Sequence, residues 1–327
     1  MSLLGIDIGT TGCKAIVFRV DGQALAHAYR EYPLIHPREG WAELNPETVW
    51  ACVSEAVAEA VDRAGPGDPV KALGTSVQGE AVTPVIHGES LLLNWDQEGG
   101  TSALICLDAA TGQDRWRAPR DERSTWNTPL VVEYKGQIQV IVNGNNRIRA
   151  HDFATGREIW QCGGIGINPI PSPVTDGDVV YCMSGYTNPA ARAIRLGGTG
   201  DLTESAAVVW KLNRGTPYVP SPLLLGDRLY FTKGREAILT IVDTRTGRPV
   251  LNEVRLAEAN SFYASPVAAA GRVYLVDRGG TTLVLKQSDK LEILATNRLD
   301  DPMDASPVVV GRQLFLRGAK NLYCIEE

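Results

Sequence analysis

Asp7 closes the short apolar run Leu3 to Ile8 and is followed by Gly9, Thr10, Thr11, Gly12 and Lys14. A carboxylate at a strand end, followed by small and hydroxylated residues, suits phosphate chemistry. Backbone N–H groups and threonine hydroxyls can approach phosphate oxygens while the carboxylate orients a hydrated Mg²⁺. The same residues also make an ordinary hairpin turn, in which Gly and Thr serve only the backbone. A second group of side chains is spread along the rest of the chain. Trp126 and Asn127, Tyr218, Tyr263 and Asp304 each stand just ahead of a Ser/Thr-Pro dipeptide, and Asn94, Asp96, Asn143 and Asn145 follow apolar runs. Aromatic and amide groups gathered at one rim would suit a sugar or a peptide. Turn propensity accounts for the Asn and Asp residues equally well.

The elements around Asp7 are legible. Leu3 to Ile8, a tight turn, and Lys14 to Val20 read as strand, turn, strand; Asp21-Gly22 is a hairpin signal, and Gln23 to Tyr32 makes a third strand. Asn45-Pro46 reads as a helix start, an N-cap side chain followed by Pro at the first helical position. Val49, Trp50, Val53, Val57, Ala60 and Val61 recur at helical spacing, Gly65 closes the helix, and Val70 to Val77 reads as a fourth strand.

Three segments taken together resemble the N-terminal lobe of FGGY carbohydrate kinases, with xylulokinase-like members closest. They are Leu4-Gly5-Ile6-Asp7-Ile8-Gly9-Thr10-Thr11-Gly12-Cys13-Lys14, then Gly40-Trp41-Ala42-Glu43-Leu44-Asn45-Pro46-Glu47 leading to Trp50, then Lys71-Ala72-Leu73-Gly74 with Gln78-Gly79-Glu80. The resemblance covers residues 3 to 84. It implies an actin-like, ribonuclease-H-like lobe from an enzyme that moves the ATP γ-phosphate to a sugar hydroxyl. Asp7 would then serve the Mg-phosphate, with Gly9, Thr10, Thr11 and Lys14 forming the phosphate loop, and Gln78, Gly79 and Glu80 would lie towards the sugar. In that family the general base, the adenine-binding lobe and most of the sugar site lie beyond this stretch. Phosphoryl transfer depends on positioning and charge stabilisation from both sides of a cleft. The lobe alone is therefore not expected to turn over, and no catalytic residue is assigned; Mg-ATP binding, if retained, is expected to be weak.

From residue 83 onward the chain is repetitive. Ser/Thr-Pro-aliphatic recurs at Thr83, Thr128, Ser172, Ser221, Ser265 and Ser306, at intervals of 45, 44, 49, 44 and 41 residues. A period in the forties with several short β runs per copy is the signature of propeller blades. Two copies close with Asp-x-x-Thr-Gly and a Trp four residues on, Asp108 to Trp116 and Asp152 to Trp160; Asp243 to Gly247 keeps the turn without the Trp, and the fifth copy (Lys286 to Asp289) has lost it. Asp and Thr side chains can bond the turn backbone, Gly supplies a positive φ, and Trp is a wedge between sheets. This set resembles the PQQ-like quinoprotein propeller repeat. Trp116, Trp160 and Trp210 read as packing between blades. The chain has neither the adjacent cysteine pair nor the haem motif of quinoprotein dehydrogenases, so PQQ binding is not expected, and no metal site is assigned.

The expected architecture is mainly β: a partial α/β kinase lobe over residues 1–84, then a PQQ-like β-propeller of about six repeats over residues 85–327, the sixth lacking its outer strand. Glu80 to Val85 fits both the end of a kinase strand and the start of a blade, the pattern that recombination between two genes would leave. The chain has 327 residues and a net charge of −6, without a basic stripe, so nucleic acid is not an expected partner. No run of about 18 apolar residues or basic leader points to a membrane or to export, and six scattered cysteines fit reduced thiols. The expectation is a cytoplasmic, non-catalytic binding or scaffold protein. Its partner would be an unidentified protein or carbohydrate on the propeller, with self-association through open sheet edges. The alternatives are a sugar kinase and a PQQ-dependent dehydrogenase-like protein.

Overall fold

The computed structural model describes residues 2–38, 42–67, 69–77, 83–98 and 101–326. The chain divides into two compact units, Met1–Ala81 and Val82–Glu327.

The first unit is one sheet and one helix. Strands β1 (Ser2–Ile8), β2 (Gly12–Arg19) and β3 (Ala24–Glu31) form an antiparallel meander, α1 (Pro46–Ala64) follows, and β4 (Val70–Val77) returns to pair parallel with β1, giving the order β3-β2-β1-β4. A parallel return needs a crossover, and the helix supplies it. Asn45 caps that helix, its Oδ1 accepting from Thr48 N at 3.0 Å, and Gly65 ends it at φ +79°. Val53, Ala56 and Ala60 of α1 pack on Leu4, Ala15, Val17 and Ala28. The small alanines let the helix lie close to the sheet. Trp50, counted among the apolar positions of the helix, is 70% exposed and belongs to its outer face.

Among the described residues the second unit is a series of six sheets, each built on an antiparallel meander. Blade 1 comprises Thr83–His87, Ser90–Trp95, Ser102–Asp108 and Asp114–Arg120; blade 2 Leu130–Tyr134, Gln137–Val142, Ile148–Asp152 and Glu158–Cys162. Blade 3 comprises Val174–Thr175, Val179–Ser184, Ala190–Arg195 and Val208–Leu212; blade 4 Leu223–Leu225, Arg228–Thr232, Ile238–Asp243 and Pro249–Arg255. Blade 5 comprises Val267–Ala269, Arg272–Val276, Thr281–Lys286 and Ile293–Arg298. Blade 6 has three strands among the described residues: Val308–Val310, Gln313–Arg317 and Leu322–Glu326. The long interval between the third and fourth motifs holds an insertion in blade 3. Its Gly200–Asp201 adds a parallel strand to the outer edge of blade 2.

Successive blades stack face to face, which is the β-propeller arrangement. Val180 and Cys182 of blade 3 face the core shared with blade 2, whereas Tyr181 and Met183 face blade 4. Burial on both faces explains why these strands are continuous apolar runs and not alternating ones.

The Ser/Thr-Pro motif has a structural cause. Thr128 N donates to Ser172 Oγ (3.0 Å), Ser172 N to Ser221 Oγ (3.0 Å), Ser221 N to Ser265 Oγ (2.9 Å) and Ser265 N to Ser306 Oγ (2.9 Å). Each hydroxyl accepts the N–H of the equivalent residue one blade earlier, so the chain of bonds runs across five blades. The proline that follows has no N–H to leave orphaned at the start of an edge strand.

Candidate functional site

The phosphate-type residues of the first unit lie on the β1–β2 hairpin. Asp7 and Lys14 are directly opposed across the two strands, and Ile8 opposes Cys13. Gly9 N donates to Gly12 O at 2.9 Å, Tyr32 N to Thr11 O at 3.2 Å and Tyr32 Oη to Gly9 O at 2.8 Å. The loop carbonyls are therefore engaged from behind, while the side chains of Asp7, Thr10, Thr11 and Lys14 are exposed. A Cβ on Gly12 would meet the Tyr29 hydroxyl and the Arg30 carbonyl, so close backbone packing demands glycine there. β1 and β4 run parallel with Ile8 beside Val77, so the loops leaving both strands start from the same sheet end. Gln78, Gly79 and Glu80, expected on the sugar side, lie outside the described residues. Asp7 is one carboxylate, the number with which Mg²⁺ is commonly held when phosphates and water complete its shell. Among the described residues no group of three or more His, Cys, Asp or Glu could hold a metal.

The candidates of the second unit share one edge of the propeller. Loops entering a blade and loops joining its second and third strands come together there, because neighbouring strands are antiparallel. They separate into local groups. Trp126 Nε1 donates to Asn168 Oδ1 at 2.5 Å. Asn127 is fully buried; its Nδ2 donates to Asn143 O at 2.9 Å and its Oδ1 accepts from Asn143 N at 3.0 Å, which clamps blade 2. Tyr218 stacks on Tyr186 at 5.2 Å with Arg235 over its ring at 5.0 Å. Tyr263 lies under the Arg278 guanidinium at 3.9 Å, and Arg278 pairs with Asp304 at 2.6 Å. Tyr263 and Asp304 are thus joined through one arginine, and Asn127 is a buried clamp.

Sequence reading missed Tyr186, Arg235 and Arg278. All three follow the second strand of their repeats, the place where Asn143 and Asn145 were noticed, so position within the repeat was the available signal. Asp96 likewise serves the structure. Its carboxylate accepts from Arg120 at 2.8 and 3.0 Å and from Thr125 Oγ1 at 2.6 Å, with both charged side chains fully buried.

The Asp-x-x-Thr-Gly turns are built alike. Asp108 Oδ1 accepts from Ala110 N, Thr111 N and Thr111 Oγ1 at 2.9–3.1 Å, and Gly112 has φ +71°. The Arg115 guanidinium, with these donors, holds the Asp108 carboxyl well below the usual carboxylate range. Asp152 and Asp243 repeat the arrangement. The tryptophans tie blades through these turns. Trp116 Nε1 donates to Phe153 O at 2.9 Å and Trp210 Nε1 to Thr244 O at 2.7 Å, each ring lying against the glycine of the next blade's turn, Gly156 or Gly247. Between blades 4 and 5 an ion pair replaces this device: Arg228 binds both oxygens of Asp289 at 2.6 and 2.8 Å, in the turn that lost its Thr-Gly.

Residues 2–94 match the FGGY family of carbohydrate kinases, N-terminal domain. A glycerol kinase of Gloeobacter violaceus is 36% identical over 138 residues, 40% of this chain and 25% of that kinase. One from Gluconobacter oxydans is 34% identical over 115 residues, 34% of this chain and 20% of that kinase. The chain spans about a quarter of the length of the first of these relatives. Their names are glycerol kinase, so the finer likeness to xylulokinases stays an expectation. The crystal structure of BamB from Moraxella catarrhalis superposes with a TM-score of 0.56 over 98% of this chain and 83% of that one. At 12% identity this shows the fold alone. The chain thus joins an N-terminal domain of the FGGY carbohydrate-kinase type to a β-propeller.

Proposed function

We propose that the protein is a non-catalytic propeller-based binding protein carrying an incomplete sugar-kinase lobe. The observation behind this is that the chain, over 40% of its own length, corresponds to 25% of a glycerol kinase. Asp7, Thr10 and Thr11 could contact a Mg-phosphate from one side. The residues that would activate the sugar hydroxyl and hold adenine belong to the part of the kinase that this chain does not match. The propeller edge with Trp126, Tyr218 and Tyr263 is the binding face, taking a protein loop or a carbohydrate. Aromatic rings there offer flat apolar surface, and Arg235 and Arg278 offer donors. The protein would need no resident cofactor and would work in the cytoplasm.

The test is ADP release from Mg-ATP with glycerol, xylulose and a panel of polyols. The expected result is no substrate-dependent turnover, and an Asp7→Ala variant indistinguishable from the parent. Sugar-dependent ADP release abolished by Asp7→Ala would replace this reading with that of a kinase.

A further inference from the structure

Blades 1 to 5 each have a fourth, outer strand, whereas the outermost strand of blade 6 among the described residues is its third, Leu322–Glu326. The outer strands of the other five blades are all bulged where they pair with their neighbours. A bulge bends and twists an edge, which discourages further pairing. Leu322–Glu326 instead pairs with Gln313–Arg317 in unbroken register, and Leu322, Tyr323, Cys324 and Ile325 carry neither charge nor proline. The features that keep a strand edge from pairing are missing here.

The hairpin fixes which backbone groups face outward. Gly318 N donates to Asn321 O at 2.8 Å, so this pair is hydrogen-bonded. Hydrogen-bonded and non-hydrogen-bonded pairs alternate along an antiparallel ladder. Leu316–Tyr323 and Leu314–Ile325 are then hydrogen-bonded pairs, and the N–H and C=O groups of Leu322, Cys324 and Glu326 point to the free edge. Among the described residues no strand lies on that side. Leu322 is 60% and Ile325 48% exposed. Ile325 also lines a cavity of about 620 Å³, together with Leu314 and Leu316 of blade 6 and Val284 and Ala295 of blade 5. An added strand would set alternate side chains towards this apolar part of the lining. Cys324 pairs with Phe315 as Cys106 pairs with Leu92 and Ala193 with Tyr181. The residue opposite Cys324 would therefore take the place that Trp116 and Trp210 have in blades 1 and 3.

We infer that the outer edge of Leu322–Glu326 is a β-augmentation site, which takes an extended peptide segment of a partner protein as an antiparallel fourth strand with a large apolar residue opposite Cys324. The N–H and C=O groups of Leu322, Cys324 and Glu326 supply the main-chain bonds, and the apolar position supplies the selectivity. The segment continues a sheet already formed and stands where blades 1 to 5 have a strand of their own. This site is separate from the loop edge proposed above as the binding face.

The probe is a labelled, end-blocked peptide with the sequence of residues 206–213, which include the outer strand of blade 3, titrated into the full chain by fluorescence anisotropy. The expected result is saturable binding at one site. Amide exchange read by NMR should slow by about tenfold or more at Leu322, Cys324 and Glu326 on saturation, and change by less than about twofold at Tyr323 and Ile325. Cys324→Pro removes an outward N–H that the blade's own ladder does not use. It should weaken the peptide by about tenfold or more, while Cys324→Ser stays within about twofold. Should the proline impair folding, two peptides N-methylated on alternate residues keep the test open. One set of N–H groups faces the protein and the other faces away, so only one of the two peptides should lose binding. Absence of saturable binding, N-methylated peptides that behave alike, or unchanged binding to folded Cys324→Pro would overturn the inference. Protection of the same three amides that grows with protein concentration, without peptide, would overturn it in favour of a second copy of the chain.

Discussion

His151 shows what a single buried side chain does to this propeller. It is 2% exposed; its Nδ1–H donates to Gly156 O at 3.0 Å, and Nε2 has no hydrogen-bond partner. Burial disfavours the charged ring, and the positive charge of Arg120 adds to this, so its pKa falls from 6.5 to about 4. The unfolded chain therefore takes up a proton between pH 6.5 and 4 that the folded protein refuses. The stability associated with this residue is complete above pH 6.5 and is lost as pH falls towards 4. By about pH 5 the loss should reach about 2 kcal/mol. Urea midpoints measured from about pH 7.5 to about pH 4.5 should decline through that window, and His151→Gln should flatten the decline. An equally steep decline in the variant would show that other groups cause it. The role of His151 was not legible beforehand, because the sequence shows neither its burial nor the arginine beside it. The Asp7 hairpin was legible, since a carboxylate, two threonines and two glycines are contiguous in the chain. Asp304 and Tyr263 were visible one by one, but their coupling through Arg278 depends on loops from two repeats meeting in space.

Among the elements, the wedge and the turn it meets give the sharpest prediction. A Cβ on Gly247 would lie 2.6 Å from Trp210 Cδ2, and its φ is +67°. Gly247→Ala should therefore suffer both a clash and a strained backbone, and Trp210→Ala should cost about 3–5 kcal/mol for the lost core ring. Once the ring is gone only the backbone strain remains, about 1 kcal/mol. The two substitutions should then be less harmful together than the sum of each alone, by at least about 1 kcal/mol in denaturant midpoints. Strict additivity would mean that ring and turn do not touch. Gly177→Ala is the control: φ +99°, with nothing within 4 Å of an added Cβ. Local signals read these elements well. Asn45-Pro46 and Gly65 bounded α1, and Asp-x-x-Thr-Gly marked the turns. That the outer strands of blades 4 and 5 carry Leu251 (opposite Ile241) and Ala295 (opposite Val284) where blades 1 to 3 carry Trp116, Trp160 and Trp210 was hidden, because strand bulges shift the register and cross-strand pairing is needed to align them. The Arg228–Asp289 pair was hidden too, since its members are 61 residues apart.

At the scale of the whole molecule, the repeat period and the Ser/Thr-Pro motif announced the propeller, and the physical reason is the hydroxyl-to-N–H chain that crosses five blades. The first unit has its own core around Ala15, Val17, Ala56 and Ala60, and blades 1 to 6 have theirs. Blade contacts are made mainly with the next blade, as expected for an array of repeats. Each unit should then hold its structure through its own contacts. Limited proteolysis of the full chain, with intact-mass mapping of the fragments and a thermal scan of the nicked product, tests this directly. The first cut should fall near the junction of the two units at Ala81 and Val82. The C-terminal fragment should stay folded, with an unfolding transition of its own. Early cuts inside blades 1 to 6, or a C-terminal fragment that unfolds on release, would be incompatible with two units that each support their own structure.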